Sequence, residues 1–282
     1  LIEDYGADGV RFGMLSCSPA GGDLLFDEKL VEQGRNFCNK LWNAMRLIKG
    51  WDKDDSKPMS ELESIATAWL EAKFNAVVKE VEDNFVGYRL SEALITIYSF
   101  IWDDFCSWYL EMIKPAQEEK MSAETMDKTI ALFSSICSLL HPYMPFITEE
   151  IWHQLNAETD EDCILSNFPV YVEKDAMVLN AVEHAKKLIT QVRELRSKNG
   201  LKSKDSFPLV AKRTANTSAY FSLAGYKAVC LKMAGLEDFT LSTDEAVAGI
   251  SFITDAENYT ALVNIAIDVN KELEEKQKEL IH

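Results

Sequence analysis

The segment LSEALITIYSFIWDDFCSWYLEMIKP (residues 90–115) decides the fold class, because its apolar residues recur every three to four positions. The recurring residues are Leu90, Leu94, Ile97, Ile101, Phe105, Trp108 and Met112. This spacing follows the period of about 3.6 residues that places side chains on one face of an α-helix. The segment therefore predicts a long amphipathic helix that ends at Lys114-Pro115.

Three further helical patterns surround this segment, over about residues 28–50, 61–84 and 122–155. Asp27 and Ser122 offer side-chain caps, and Gly50 ends the first pattern. Pro142 and Pro145 interrupt the last pattern, which predicts a kink or a short break rather than a new domain. Long helices with short joins indicate a mainly α protein built on an antiparallel helical bundle.

The ends of the chain differ from this helical part. Residues 1–27 are mixed, with a turn-rich lead at 5–9, a loop at 18–23 and a short strand at 24–26. A basic helix over 175–199 and a helical stretch over 216–233 accompany four β-like runs: Phe207–Lys212, Phe239–Ser242, Gly249–Thr254 and Tyr259–Ile267. These form a small α+β module. We expect an N-terminal segment (1–30), a bundle (31–170), the α+β module (171–268) and a Glu/Lys-rich helix at the end (269–282).

Composition bounds the function. The 282 residues include 47% hydrophobic residues and carry a net charge of −17, so diffuse binding to polyanions is disfavoured and any nucleic-acid contact needs local basic patches. No apolar run is long enough to span a bilayer. Six cysteines without a C-x-x-C pair fit reduced thiols in the cytoplasm and argue against structural zinc.

The sequence contains no recognisable catalytic arrangement. The four histidines are scattered, and no nucleophile elbow or phosphate-binding loop occurs. Asp103-Asp104 and Glu149-Glu150 are adjacent acids, which diverge on a helix and are interpreted as solvated positions. We expect no catalytic residue, metal site or cofactor in this chain.

Two basic patches stand out from the acidic background. The first lies on the helix over 28–50, where Gly34 to Gly50 includes four cations and no acid. One face of this helix is predicted to carry Arg35, Asn39, Trp42, Arg46 and Lys49, with Asn36 and Asn43 beside it. Guanidinium, amide and aromatic groups on one exposed face are what single-stranded RNA recognition uses. An ordinary solvated amphipathic helix is the alternative.

The second basic patch spans the end of the helix over 175–199 and the loop after it. It includes Lys186, Lys187, Arg193, Arg196, Lys198, Lys202 and Lys204. Cations at a helix C-terminus also complement the helix dipole. A surface that contacts an RNA backbone and this purely structural use both remain open.

Four stretches carry a family resemblance: YGADGVRF (5–12), GRNFCNKLWNA (34–44), WDDFCSWYLE (102–111) and HPYMPFITEEIW (141–152). In this order they resemble the C-terminal half of class I aminoacyl-tRNA synthetases, most closely the valyl-tRNA synthetase family. The resemblance implies that residues 1–30 are the end of a joint to a catalytic domain and that residues 269–282 start a coiled-coil arm. It also implies that residues 31–170 form a helical anticodon-binding domain that binds the anticodon arm of valine tRNA. By position, it implies contacts from Lys29, Arg35, Lys40 and Arg46, with Asn36, Asn39 and Asn43 as base readers. Leu47 stands where an aromatic ring would offer a stacking surface, which leaves Trp42 or an aliphatic surface for that base.

The resemblance also implies that the full-length parent attaches valine to its tRNA with ATP. The family's ATP-binding motifs, His-Ile-Gly-His and Lys-Met-Ser-Lys-Ser, do not occur here. We therefore expect this part alone to be inactive, to be monomeric, to bind no membrane and to work with the catalytic domain of the same polypeptide. A helical protein-interaction scaffold without RNA binding is the alternative, and a stand-alone enzyme is disfavoured.

Overall fold

The computed structural model describes residues 1–17, 26–158, 161–174, 176–202, 204–244 and 248–263. The chain divides into two compact units, of which the first runs from Leu1 to Val182 and the second begins at Glu183. This division falls within a single helix, α8 (Ala176–Lys198). The predicted fold class, a mainly α protein with a small α+β module, is confirmed. Among the described residues, no helix has the length and apolarity needed to cross a membrane.

The first unit is a bundle of helices. They are α1 (Ile2–Ser16), α2 (Glu28–Lys49), α3 (Glu61–Val86), α4 (Leu90–Ser99), α5 (Leu110–Ile113), α6 (Ala123–Leu140) and α7 (Pro145–Leu155). A two-residue parallel pair joins β1 (Lys53–Asp54) to β2 (Met121–Ser122). The expected caps form: the Asp27 carboxylate accepts from the Lys29 N–H at 2.9 Å, and the Ser122 hydroxyl accepts from the Thr125 N–H at 3.1 Å. These caps start α2 and α6 where the sequence predicts.

The N-terminal stretch corrects a prediction, because α1 is a helix where a turn-rich segment was expected. Only Gly6 departs from helical geometry, with φ 75° and ψ 160°. The other glycines serve close packing: a Cβ on Gly34 would lie 2.7 Å from the Gly9 carbonyl oxygen and 2.7 Å from the Phe12 Cβ. The loop and strand predicted over 18–26 lie largely outside the described residues.

The segment that decides the fold class contains an irregularity that its spacing does not reveal. Between α4 and α5 the chain continues as a π-helix over Phe100–Tyr109, in which each N–H bonds five residues back and the turns are wider. The core-facing residues become Ile101, Phe105, Tyr109 and Ile113. Trp108 of the predicted stripe is therefore only partly buried. Leu90, the first residue of α4, is 48% exposed and lies before the π-helix.

The two prolines end one helix and start another within the same unit, as the sequence predicts. The first turn of α7 has no side-chain cap of its own. Instead, the Asp8 carboxylate of α1 accepts from the N–H groups of Phe146 and Ile147, at 3.4 and 2.6 Å. The Arg11 guanidinium donates to the carbonyls of Pro142 and Tyr143, at 2.8 and 2.9 Å. Residues of α1 therefore hold the break between α6 and α7.

The second unit is a small α+β module. It contains β3 (Leu209–Lys212), α9 (Ala215–Ser222), α10 (Tyr226–Ala234), β4 (Phe239–Ser242), β5 (Ile250–Thr254) and β6 (Glu257–Ala261). The strand order is β4-β3-β6-β5, with β3 and β4 parallel and the other pairs antiparallel. The predicted helical stretch 216–233 is two helices, since Gly225 with φ 87° separates them. The predicted helix over 268–282 lies outside the described residues.

Candidate nucleic-acid interface

The outward face of α2 is the centre of the first basic patch. Four exposed positions in the middle of the helix, Asn36, Asn39, Asn43 and Arg46, form what we call the amide face, and Glu32 and Lys49 are exposed at its ends. These residues step by three, four and three positions, so they share one side of the helix. The opposite side is fully packed, with Val31, Phe37, Leu41 and Ile48 at 0–1% exposure. The predicted division of this helix into a polar side and a core side is confirmed.

The polar side chains of the amide face have no bonding partner within the described structure. The side chains of its four residues make no hydrogen bond or ion pair with any described residue. Three primary amides can each donate and accept in the same plane, and one guanidinium offers five N–H donors. The face therefore presents hydrogen-bonding groups to whatever contacts it, with no internal bond to break first.

The cations beside the amide face rest on aromatic rings. The Arg35 guanidinium lies 5.4 Å from the centre of the Tyr5 ring and 3.7 Å from the Glu32 carboxylate. The Lys40 ammonium lies 5.2 Å from the centre of the Trp102 ring. Both cations are partly buried. Cation–π contact holds each side chain in place while its charge stays accessible.

The remaining predicted residues of α2 have different surroundings. Lys29 is exposed in the first turn, and Trp42 is half-buried, so its ring serves packing as well as the surface. Lys49, which belongs to the predicted stripe, donates to the Gln154 side chain at 3.1 Å. Leu47 is also half-buried. The helix therefore offers an accessible polar centre with partly buried residues along its edges.

Sequence reasoning missed two aromatic rings that pack beside α2 at Lys40 and Phe37. Trp102 stacks on Tyr98 with ring centres 5.6 Å apart, and Tyr98 packs on Phe37 of α2 at 4.9 Å. Tyr98 and Trp102 are only partly buried. Trp102 directly follows the core position Ile101. An aromatic residue next to a core position is the sequence signal from which Trp102 could have been predicted at the edge of the core. These rings are flat surfaces on which bases can stack.

Arg196 corrects the prediction for the second basic patch. Its side chain is 8% exposed and its guanidinium donates to the carbonyls of Ala234, Gly235, Lys202 and Asp205, at 2.6–3.2 Å. The Phe207 ring lies 4.7 Å from the guanidinium carbon. With its donors already used inside the second unit, Arg196 holds the end of α10 and the loop after α8 together. This position argues against the RNA contact expected for it.

The other cations of the second patch are mixed in their pairing. Lys186 pairs with Glu183 at 3.2 Å, and Lys187 pairs with Asp255 at 2.8 Å. The hydrogen bond from Lys187 holds the pKa of Asp255 below its usual range. Arg193 donates to the Met233 carbonyl at 3.0 Å. The remaining three are exposed: Lys198, Lys202 and Lys204.

One acid of each adjacent pair is not the solvated position that the sequence suggests, whereas Asp103 and Glu150 are exposed. Asp104 is 7% exposed and its carboxylate lies 3.7 Å from the Lys73 ammonium. Glu149 accepts the Cys163 N–H at 2.6 Å, and its side chain is 28% exposed. One carboxylate of each pair turns inward because neighbours on a helix point about 100° apart. In each pair the inward acid is a bonded part of the bundle.

Comparison with known proteins shows what this architecture resembles. The chain is 40% identical over 99% of its length to a valine–tRNA ligase of Christiangramia forsetii, and 41% identical over its whole length to one of Bacteroides thetaiotaomicron. A valine–tRNA ligase of Clostridium acetobutylicum is 32% identical over 99% of this chain. The chain spans about a third of the length of these curated relatives, at 32–33%.

The family of anticodon-binding domains of tRNA ligases matches residues 67–211, about half of the chain. This match covers α3 to α8 and reaches β3. The match establishes that the chain belongs to the anticodon-binding domain family of tRNA ligases, and α2 precedes the matched residues.

Proposed function

We propose that this chain is the anticodon-recognising part of a valine–tRNA ligase, and that the amide face of α2 contacts the anticodon arm of valine tRNA. Membership of the anticodon-binding family and the similarity to valine–tRNA ligases support the proposal. The observation that carries the assignment to α2 is that Asn36, Asn39, Asn43 and Arg46 are exposed together and have no partner among the described residues.

The chemistry of the amide face suits unpaired nucleotides. Asparagine amides can pair with base edges, and Arg46 can bind phosphate. Trp102 and Tyr98 add aromatic surface at the edge of the face, next to Lys40. A bidentate base contact and an aromatic stack each contribute about 1–3 kcal/mol. With a net charge of −17, affinity depends on these local contacts rather than on the overall field of the protein.

The activity of the whole ligase is part of the proposal. The parent polypeptide joins valine to its tRNA with ATP in a catalytic domain, and the part described here supplies recognition of the tRNA. Valine specificity, a monomeric state and a cytoplasmic location belong to the same proposal. All six cysteines are free thiols, which supports a reducing compartment.

The proposal is tested by titrating valine tRNA, and the same tRNA with an altered anticodon, against the chain at two salt concentrations. We expect the altered tRNA to bind more weakly. Asn39→Ala should reduce this difference, because an amide that reads a base edge is lost. Arg46→Ala should weaken both complexes and reduce the steepness of the salt dependence by about 0.7–0.9 in log K against log salt.

Lys128→Ala is the matched control. Lys128 is an exposed cation of the same unit that pairs with Glu124 on α6 at 2.8 Å, and its loss should leave tRNA binding unchanged. If Arg46→Ala binds both tRNAs with wild-type affinity and salt dependence, α2 is not the contact surface. If neither tRNA binds in a salt-dependent manner, the helical scaffold is the better description.

A further inference from the structure

Four titratable side chains meet where α6 ends and α7 runs, at positions distant in sequence from the amide face. They are His141 after α6, Glu149 and His153 on α7, and Asp162 in the segment after α7. The His153 Nε2 lies 3.4 Å from a Glu149 carboxylate oxygen and 3.2 Å from an Asp162 carboxylate oxygen. An imidazole nitrogen carries at most one proton. His153 can therefore satisfy only one of the two carboxylates at a time with a linear hydrogen bond.

The Glu149 carboxylate is held in position from two sides. Its Oε1 accepts the Cys163 N–H at 2.6 Å, and its Oε2 lies 3.9 Å from the His141 Nε2. The Thr148 hydroxyl donates to the Met144 carbonyl at 2.8 Å, so the His141 Nδ1, 2.8 Å from that hydroxyl oxygen, is the donor of its contact. In neutral His141 the Nε2 lone pair consequently faces a carboxylate. The arrangement favours a cation beside Glu149.

We propose that Glu149, His153 and Asp162 bind a divalent transition-metal ion of the zinc class. The three ligand atoms lie within 4.8 Å of one another, and two of their separations are 3.2 and 3.4 Å. Ligands at about 2.0–2.1 Å from a tetrahedral zinc ion are about 3.3 Å apart. One imidazole and two carboxylates form a donor set that zinc accepts, and the two carboxylates balance the charge of the ion.

A bound ion would link α7 to the segment that follows it. Glu149 and His153 are separated by one turn of α7, whereas Asp162 belongs to the segment that leads into the short 3-10 turn Cys163–Leu165. An ion shared by these residues ties that segment to the helix and leaves a fourth position for water. None of the three ligands belongs to the amide face.

Calorimetric titration of the EDTA-treated chain with Zn²⁺ tests the site, together with Co²⁺ titration followed by visible absorption. We expect one ion per chain and cobalt bands of a four- or five-coordinate complex. His153→Gln, at a side chain that is 42% exposed, should fold normally. Loss of a group that merely supports a ligand lowers metal affinity by about 10–100-fold, so loss of this imidazole should lower it by about 100-fold or more.

Glu150→Gln is the matched control, because Glu150 is exposed on the same helix and is not one of the three ligands. This variant should bind Zn²⁺ as the wild type does. Absence of stoichiometric binding at millimolar Zn²⁺ would overturn the proposal. Equal affinity in the His153→Gln variant would also overturn it, since the ion would then be bound elsewhere, for example by cysteines.

Discussion

Replacing Arg196 by methionine separates the structural and RNA-binding interpretations of the second basic patch. The guanidinium donates to four backbone carbonyls and is 8% exposed. A hydrogen bond to a charged group contributes about 1.5–3 kcal/mol, but four bonds from one group are not additive. Methionine removes the charge itself and leaves neutral carbonyl acceptors without this donor, and an unsatisfied buried acceptor costs about 1–3 kcal/mol. We expect Arg196→Met to lower the free energy of unfolding of the second unit by about this amount.

Amide hydrogen exchange is the appropriate assay, because all six tryptophans lie before residue 153 and fluorescence reports only on the first unit. Exchange in β3, β4 and β6 should accelerate strongly in Arg196→Met. Lys198→Met is the control, since Lys198 is exposed and should change stability by no more than about 0.5 kcal/mol. Wild-type exchange rates in Arg196→Met would show that the four carbonyl contacts do not hold this unit together.

Two further predictions concern a buried histidine and a close helix contact. Burial lowers the pKa of His184, whose ring faces Asp255, Tyr259, Tyr220, Glu257 and Lys187. As the pH falls, the imidazole of His184 is therefore protonated more readily in the unfolded chain than in the folded chain, so the second unit should lose stability below about pH 6.5. Hydrogen exchange at pH 7.5 and 5.5 measures this loss. An equal pH dependence in His184→Gln would contradict the prediction. Gly34→Ala places a Cβ 2.7 Å from the Gly9 carbonyl oxygen and should destabilise the first unit by about 1–3 kcal/mol. Urea unfolding monitored by tryptophan fluorescence measures this change. An unchanged midpoint would refute the close packing of α1 on α2.

Periodicity and caps predicted most of the bundle. The polar and apolar sides of α2 follow from sequence spacing alone, because a surface helix must bury one stripe and solvate the other. Three of the predicted β-like runs coincide with strands of the second unit to within two residues. These features depend on neighbours in sequence, which is the information that spacing contains.

Features that depend on distant residues could not be predicted in this way. The glycines of α1 indicated turns, yet they permit contact with α2, which only the folded chain shows. The sequence suggested a surface position for Arg196, but its guanidinium bonds four carbonyls, at the end of α10 and in the loop after α8. His153 and Asp162 are nine positions apart in sequence and lie on different elements.

Two of the stretches that carry the family resemblance form one structural joint. Asp8 and Arg11, from the first stretch, bond to Ile147 and Pro142 in the last. A buried carboxylate that accepts two N–H groups at a helix N-terminus satisfies donors that would otherwise have no partner. The resemblance at these positions therefore reflects the assembly of the bundle, whereas Asn36, Asn39 and Asn43 of the amide face lie in the stretch on α2.

The wide turns between Phe100 and Tyr109 shift the phase of the helical stretch that runs from Leu90 to Ile113. Trp102 on one flank reaches Lys40, while Tyr109 on another bonds the hydroxyls of Thr67 and Thr129 in the core. Deleting one residue from this stretch would restore a regular helix but rotate one of these two side chains by about 100°. The number of residues in this stretch, more than their identity, fixes the directions of the Trp102 ring and the Tyr109 hydroxyl relative to each other. Substitutions in the stretch should therefore be tolerated where deletions are not.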